Sequence, residues 1–132
     1  MVVGFKQIVN MKLPKKTNDR KYCDKLWAKI VKYRAGNKSE LSGKTGALHA
    51  HHVFGKGNLR LRFEFDNGVC LTSGEHFYIA HVQGRQYQIF DLLKLKLGKK
   101  RYGEVEAMRG KSYKSYLPAI KLMLENEIKK YE

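Results

Sequence analysis

Residues 48–81, LHAHHVFGKGNLRLRFEFDNGVCLTSGEHFYIAH, decide how this chain is to be read. The stretch holds all five histidines of the protein. Within it an adjacent pair, His51-His52, is followed by Asn67 and then His76, in the spacing HH-x14-N-x8-H. LHAHHVF, at 48–54, reads as a short strand. LRLRFEF alternates apolar and charged residues, so a second strand is expected over 60–70. That alternation puts Leu59, Leu61, Phe63 and Phe65 on one face and Arg60, Arg62 and Glu64 on the other. GKGN joins the two strands, and DNG at 66–68 marks a turn. Thr72 or Ser73 can cap a helix that begins near Gly74 and carries His76. The local order is strand, strand, helix.

Residue types and spacing here suit phosphodiester hydrolysis. That reaction needs a nucleophilic water, a base to deprotonate it, and stabilisation of charge on the leaving oxygen, which a divalent metal can provide. Imidazole binds Zn, Ni, Fe and Cu well and Mg or Mn less eagerly. A neutral histidine is also a suitable base near physiological pH. Neighbouring strand residues face opposite sides, so His51 and His52 should have different tasks, one facing a metal and the other a water. His49 shares a side with His51. It reads as a partly buried strand histidine or a phosphate contact, with metal ligation as the alternative.

Outward from this stretch the chain reads as one domain. Residues 1–17 form a basic arm, extended or an edge strand. Residues 18–36 hold a helix, with Asn18 or Asp19 as its cap, Tyr22, Leu26, Ile30 and Tyr33 at helical spacing, and Gly36-Asn37 as its end. Turn chemistry follows at 38–47, and the strand–strand–helix element occupies 46–84. The remainder, 85–132, is a helical extension. It has a helix over 86–97 with Tyr87, Phe90, Leu93 and Leu97 on one face. A short helix follows over 101–108, and a last one over 117–131 with Pro118 in its first turn. The fold class expected is α+β with a mainly helical C-terminal half.

Lys and Arg number 27 against 12 Asp and Glu, a formal net charge of +15. Such an excess repels itself, and a polyanionic partner is its natural explanation. Nucleic acid fits. A membrane does not: no apolar run approaches the length of a span, and the first residues lack a signal-peptide core. A cytoplasmic location is expected. Cys23 and Cys70 form no metal-type pair and read as free thiols. Lys56, Arg60, Arg62, Lys99, Lys100 and Arg101 are the candidate DNA contacts, mostly to backbone phosphate.

The His51-His52, Asn67 and His76 set resembles the motif of HNH (ββα-metal) endonucleases. The resemblance implies His51 as a metal ligand, His52 as general base, Asn67 as the brace of the loop holding that base, and His76 as a second ligand. SELSG, LHAHHV, LRFEFDNGVCLTSGEH and LGKKRY resemble more closely the phage recombination nucleases of the NinG/Rap type, over residues 25–106. That likeness implies one divalent ion, Mg or Mn in function with Zn or Ni also captured. It also implies DNA, including Holliday or D-loop junctions, as substrate, a homodimer, and a phage or prophage origin. The family's four structural zinc cysteines fall on Ser39, Ser42, Thr72 and Glu75. None of these supplies a thiolate, so no structural zinc is expected. Glu75 reads as a solvated carboxylate at the helix start. The third ligand often lies one turn past the helix histidine, which here is Ala80. His81 is taken instead, on the condition that the helix is brief, frayed or bulged there, since five residues turn about 140° away from the starting face. Two alternatives remain. One is a sequence-tolerant or homing-type HNH nicking enzyme. The other is an inactive nucleic-acid-binding module in which the lost cysteines mark decay.

Overall fold

The computed structural model describes residues 16–82 and 84–132, and side chains from Asp19 onward except that of His81. The basic arm expected at 1–17 lies outside the described residues up to position 15. Its last two positions belong instead to the first helix, α1 (Lys16–Arg34). Neither Asn18 nor Asp19 is therefore the cap. The buried stripe of α1 is Cys23, Leu26, Trp27, Ile30 and Val31, while Tyr22 is exposed. This differs from the expected Tyr22–Leu26–Ile30–Tyr33 line because the apolar positions recur at three and four, which centres the stripe on Trp27. Gly36 and Asn37 end the helix with positive φ, and the Asn37 N–H donates to the Lys32 carbonyl at 2.9 Å.

The chain is α+β. Two antiparallel strands, β1 (Leu48–His52) and β2 (Gly68–Thr72), pair with His49 opposite Leu71, His51 opposite Val69 and His52 opposite Gly68. The second strand is shorter and later than the alternation of LRLRFEF predicts. Leu59–Arg62 forms a helical turn, α2, and Phe65–Asn67 a 3-10 turn. The reason is side-chain competition for the backbone. Asn58 Oδ1 accepts from the Leu61 N–H at 2.8 Å, and the Glu64 carboxylate caps the 3-10 turn. The four apolar residues then part company: Leu61 enters one core and Phe63 the other.

Those two cores lie on the two faces of β2. Val69 and Leu71 point to one side, with Leu61, Ile79, Ile89, Leu93 and Val105. Cys70 points to the other, with Cys23, Trp27, Ile30, Phe63, Leu124 and Ile128. A strand buried on both faces needs a continuous apolar run, and GVCLT supplies one. On the first side pack α3 (Ser73–His81), α4 (Gln86–Leu97) and α5 (Lys99–Glu106). On the second pack α1 and α6 (Leu117–Ile128). In α4 the buried positions are Ile89 and Leu93, and Tyr87 is 55% exposed rather than facing the core. Tyr131, expected on the last helix, lies past its end and stacks on Tyr33 with centroids 5.8 Å apart. Both cysteines are buried and unpaired. Among the described residues no helix is long and apolar enough to cross a membrane.

Candidate active site

β1 aims its histidines in alternate directions, as strand geometry requires. His49 and His51 point toward α3, and His52 points toward α1. The position of α3 follows from its cap. Thr72 Oγ1 accepts from the Glu75 N–H at 3.1 Å and Glu75 Oε1 accepts from the Thr72 N–H at 2.8 Å, a reciprocal box that starts the helix directly after β2. His76 then falls in the first turn, over β1. The His51 and His76 rings have centroids 4.9 Å apart at 64°. The Nδ1 atoms of His49 and His76 are 3.0 Å apart.

An open cleft of about 480 Å³ contains His51, His52 and His76 together with Asp24, Trp27 and Lys56. In it His52 is held on two sides. Its ring stacks on Trp27, centroids 3.8 Å apart and 4° from parallel. Its Nε2 lies 2.9 Å from the Arg62 carbonyl. A carbonyl can only accept, so Nε2 carries the proton and Nδ1 keeps its lone pair. Burial lowers the His52 pKa; the carbonyl contact opposes that, and Lys56 adds to it. Burial also pushes His51 down to about 4, with His76 and His52 contributing, and lowers His76, with His49 contributing. All three are neutral imidazoles near pH 7, with lone pairs available for a proton or a cation.

Asn67 is fully buried. Its Oδ1 accepts from the Phe54 N–H at 2.8 Å, and its Nδ2 donates to the Gly55 and Leu61 carbonyls at 2.9 and 3.0 Å. Its own carbonyl accepts from the Val53 N–H at 2.8 Å. One side chain thus ties the loop after His52 to the turn whose next carbonyl, that of Arg62, holds the His52 ring.

The positions that resemble zinc cysteines are occupied by a hydrogen-bonded knuckle. Buried Ser39 donates from Oγ to Glu75 Oε1 at 2.6 Å and accepts from the Leu41 and Ser42 N–H groups at 3.1 Å each. Burial alone would raise the Glu75 pKa, but hydrogen bonds from Ser39, Ser42 and Thr72 outweigh it and bring it down to about 2. Glu75 is therefore an anchor of this loop, not the solvated carboxylate that the sequence suggests.

The cationic residues divide. Lys56 lines the cleft, and Lys99 and Lys100 are exposed at the start of α5. Arg60 is exposed over the Tyr113 ring, 4.8 Å from its centroid. It borders a separate, mostly apolar groove of about 480 Å³ with Phe63, Tyr116 and Met123, which contains none of the histidines. Arg62 and Arg101 are each engaged by carboxylates. Arg62 makes a bidentate pair with Asp24 at 2.8 and 2.7 Å, and Arg101 pairs with Glu64 and Asp66 at 2.7 and 2.8 Å. Strand alternation had placed Arg62 on a solvent face, and the helical turn at 59–62 directs it back to α1.

The side chain of His81 lies outside the described residues. Its backbone is that of the last residue of α3, a nine-residue helix that ends there with the Val82 N–H bonded to the Tyr78 carbonyl at 2.9 Å. Among the described residues, no three His, Cys, Asp or Glu side chains surround a common ion position. The arrangement is a facing pair, His51 and His76, with His49 behind His76. Sequence reasoning missed Trp27 and Asp24. Trp27 is the only tryptophan in the chain, and its place on the buried stripe of α1 was the available signal; nothing local to Asp24 marks it. Compared with known proteins, the chain matches no protein family, no curated sequence and no solved structure.

Proposed function

We propose that this chain is a divalent-metal-dependent DNA endonuclease that hydrolyses phosphodiester bonds at the His51–His52–His76 cleft. The observation that carries the reading is the setting of His52. Trp27 and the Arg62 carbonyl clamp its ring with Nδ1 as the free base, on a residue that lines an open cleft beside two further neutral imidazoles. His52 takes the proton of the attacking water at Nδ1, and its Nε2–H remains on the Arg62 carbonyl as the ring becomes cationic. Asn67 ties the loop after His52 to the turn that carries the Arg62 carbonyl. Lys56 opposes the charge of the bound phosphate. Lys99, Lys100 and the overall charge of +15 suit a DNA backbone at the cleft.

His51 and His76 fit a divalent ion. They are neutral, their ring separation suits two ligands of one ion, and the cleft leaves open positions, as in catalytic rather than structural sites. An ion bound there supplies Lewis-acid stabilisation of charge on the phosphate and the leaving oxygen. Imidazoles favour Zn or Ni in capture, with Mg or Mn as working ions. The likeness to NinG/Rap-type nucleases supports branched recombination intermediates as substrate, in the cytoplasm of a bacterial host.

The test is cleavage of a labelled four-way junction and its matching linear duplex, with Mg, Mn or chelator, by wild type and His52→Ala. The expected result is metal-dependent cutting of the junction that falls about 10²–10⁴-fold in His52→Ala, with DNA binding retained. Equal cutting of both substrates favours a general nicking enzyme. Binding without cutting under every metal overturns the nuclease reading in favour of a binding module.

A further inference from the structure

His49 has no part in the mechanism above, yet it makes the closest side-chain contact that His76 has among those described, Nδ1 to Nδ1 at 3.0 Å. At that distance the two nitrogens share one proton: one is N–H and the other offers its lone pair. The ring centroids are 5.3 Å apart and the planes cross at 87°. The centroid distance exceeds the nitrogen distance by about one ring radius at each end, so the two nitrogens face each other on the line between the rings. Two imidazoles on one tetrahedral ion would instead point at a third position off that line. The geometry is an in-line N–H···N hydrogen bond.

His76 stands between two hollows. It borders the cleft that holds His51 and His52, and also an adjoining hollow of about 390 Å³ that His49 borders. This placement comes from β1, where alternation sets His49 and His51 two residues apart on one face, below the first turn of α3.

We infer that His49 is a positioning residue: its Nδ1 accepts the Nδ1–H of His76, which fixes the His76 ring and leaves Nε2 as its lone-pair donor on the His51 side. A ligating histidine commonly donates its other ring N–H to an outer acceptor, which sets tautomer and orientation. Here that acceptor is a second imidazole, whose own Nε2–H faces solvent, since His49 is exposed. The inference rests on the reading of His76 as a metal ligand, and it makes His49 the orienting partner rather than a third ligand.

The experiment is long-range ¹H–¹⁵N NMR on the metal-free, full-length protein, with His76→Asn to assign the ring. The expected result is a protonated Nδ1 and an unprotonated Nε2 on His76. His49→Phe, which keeps a ring and removes the acceptor, should mix the two tautomers and weaken Zn binding about 10–100-fold. His49→Gln, whose amide oxygen can accept, should restore both. Three outcomes overturn the inference: an Nε2–H His76 in the wild type, a tautomer unmoved in His49→Phe, or a His49 nitrogen that takes a zinc-bound shift during titration. The tautomer is read without metal or DNA. A protein that fails to cut DNA but shows this tautomer control sinks the nuclease reading only, and one that cuts DNA without it sinks this inference only.

Discussion

Gly68→Ala tests the packing that joins fold to site. Gly68 pairs with His52 across the sheet and lies beneath α1. A Cβ there would stand 2.5 Å from Val31 Cγ2 and 2.9 Å from Trp27 Cζ2. Both distances are far inside carbon–carbon contact, and Val31, 1% exposed, and Trp27, 2% exposed, are both packed in the core. The backbone makes the opposite demand. Gly68 has φ −111° and ψ 141°, an ordinary extended conformation open to any residue. Restriction of the unfolded chain would therefore favour alanine by about 0.4–1 kcal/mol. Overpacking costs about 1–3 kcal/mol, and this contact lies at the tight end, because α1 can yield only by opening the core around Trp27. The net expectation is a loss of about 2–2.5 kcal/mol. Urea unfolding followed by circular dichroism would show a lower midpoint at unchanged slope. The emission of Trp27 in the folded state should shift, because the displaced indole is the one stacked on His52. Val31→Ala in the same background removes one colliding methyl pair and should recover part of the loss, with a coupling of at least about 0.5 kcal/mol. A Gly68→Ala protein as stable as its parent, with additive Val31→Ala, would refute the argument.

The other expectations concern the brace, the imidazoles and the knuckle. Asn67→Ala strands the Phe54 N–H in the interior, while the Leu61 carbonyl keeps the Glu64 N–H at 3.3 Å and water can reach Gly55, so unfolding free energy should drop by about 1–3 kcal/mol; a drop below about 0.5 kcal/mol in denaturant titration would contradict the bracing role. In the metal-free protein His51 titrates at about 4, against about 6.5 unfolded, so between these values the unfolded chain binds the extra proton and stability should decline as pH falls from about 6.5 to about 4. His52 and His76 act in the same direction. The stabilisation from Glu75 is lost as pH falls from about 4.5 toward about 2, so above about 4.5 it leaves this slope unchanged. Urea midpoints at a few pH values, wild type against His51→Gln, would read it, and identical profiles would sink the assignment. Ser39→Ala removes the 2.6 Å bond to Glu75 and an acceptor for two backbone N–H groups, and thermal unfolding should report a loss of about 1–3 kcal/mol; no change would mean the knuckle holds nothing.

Much of the local layout was legible. Thr72, one of two candidate caps, starts α3, the Gly36-Asn37 end of α1 is where turn chemistry puts it, and alternation along β1 separates His51 from His52. Each of these depends on residues within a few positions of one another. LRLRFEF was misread because its alternation matches a strand, while the side chains of Asn58 and Glu64 bond to nearby backbone and make turns. The same error sent Arg62 to solvent. The carboxylate partners of Arg101 were hidden for a different reason: Glu64 and Asp66 are 37 and 35 residues away.

By itself, then, the sequence determined the α+β class, the strand–strand–helix order around the histidines, their directions on β1 and a charge suited to a polyanion. These follow from periodicity, capping and composition, which act over short spans or over the whole chain at once. Tertiary structure alone decided that Trp27 clamps His52, that Asp24 claims Arg62, that Asn67 ties two loops together and that His49 backs His76. Such contacts join residues far apart in the chain. They are selected by which surfaces can be buried together with their polar groups satisfied, and no local pattern of residues encodes that choice.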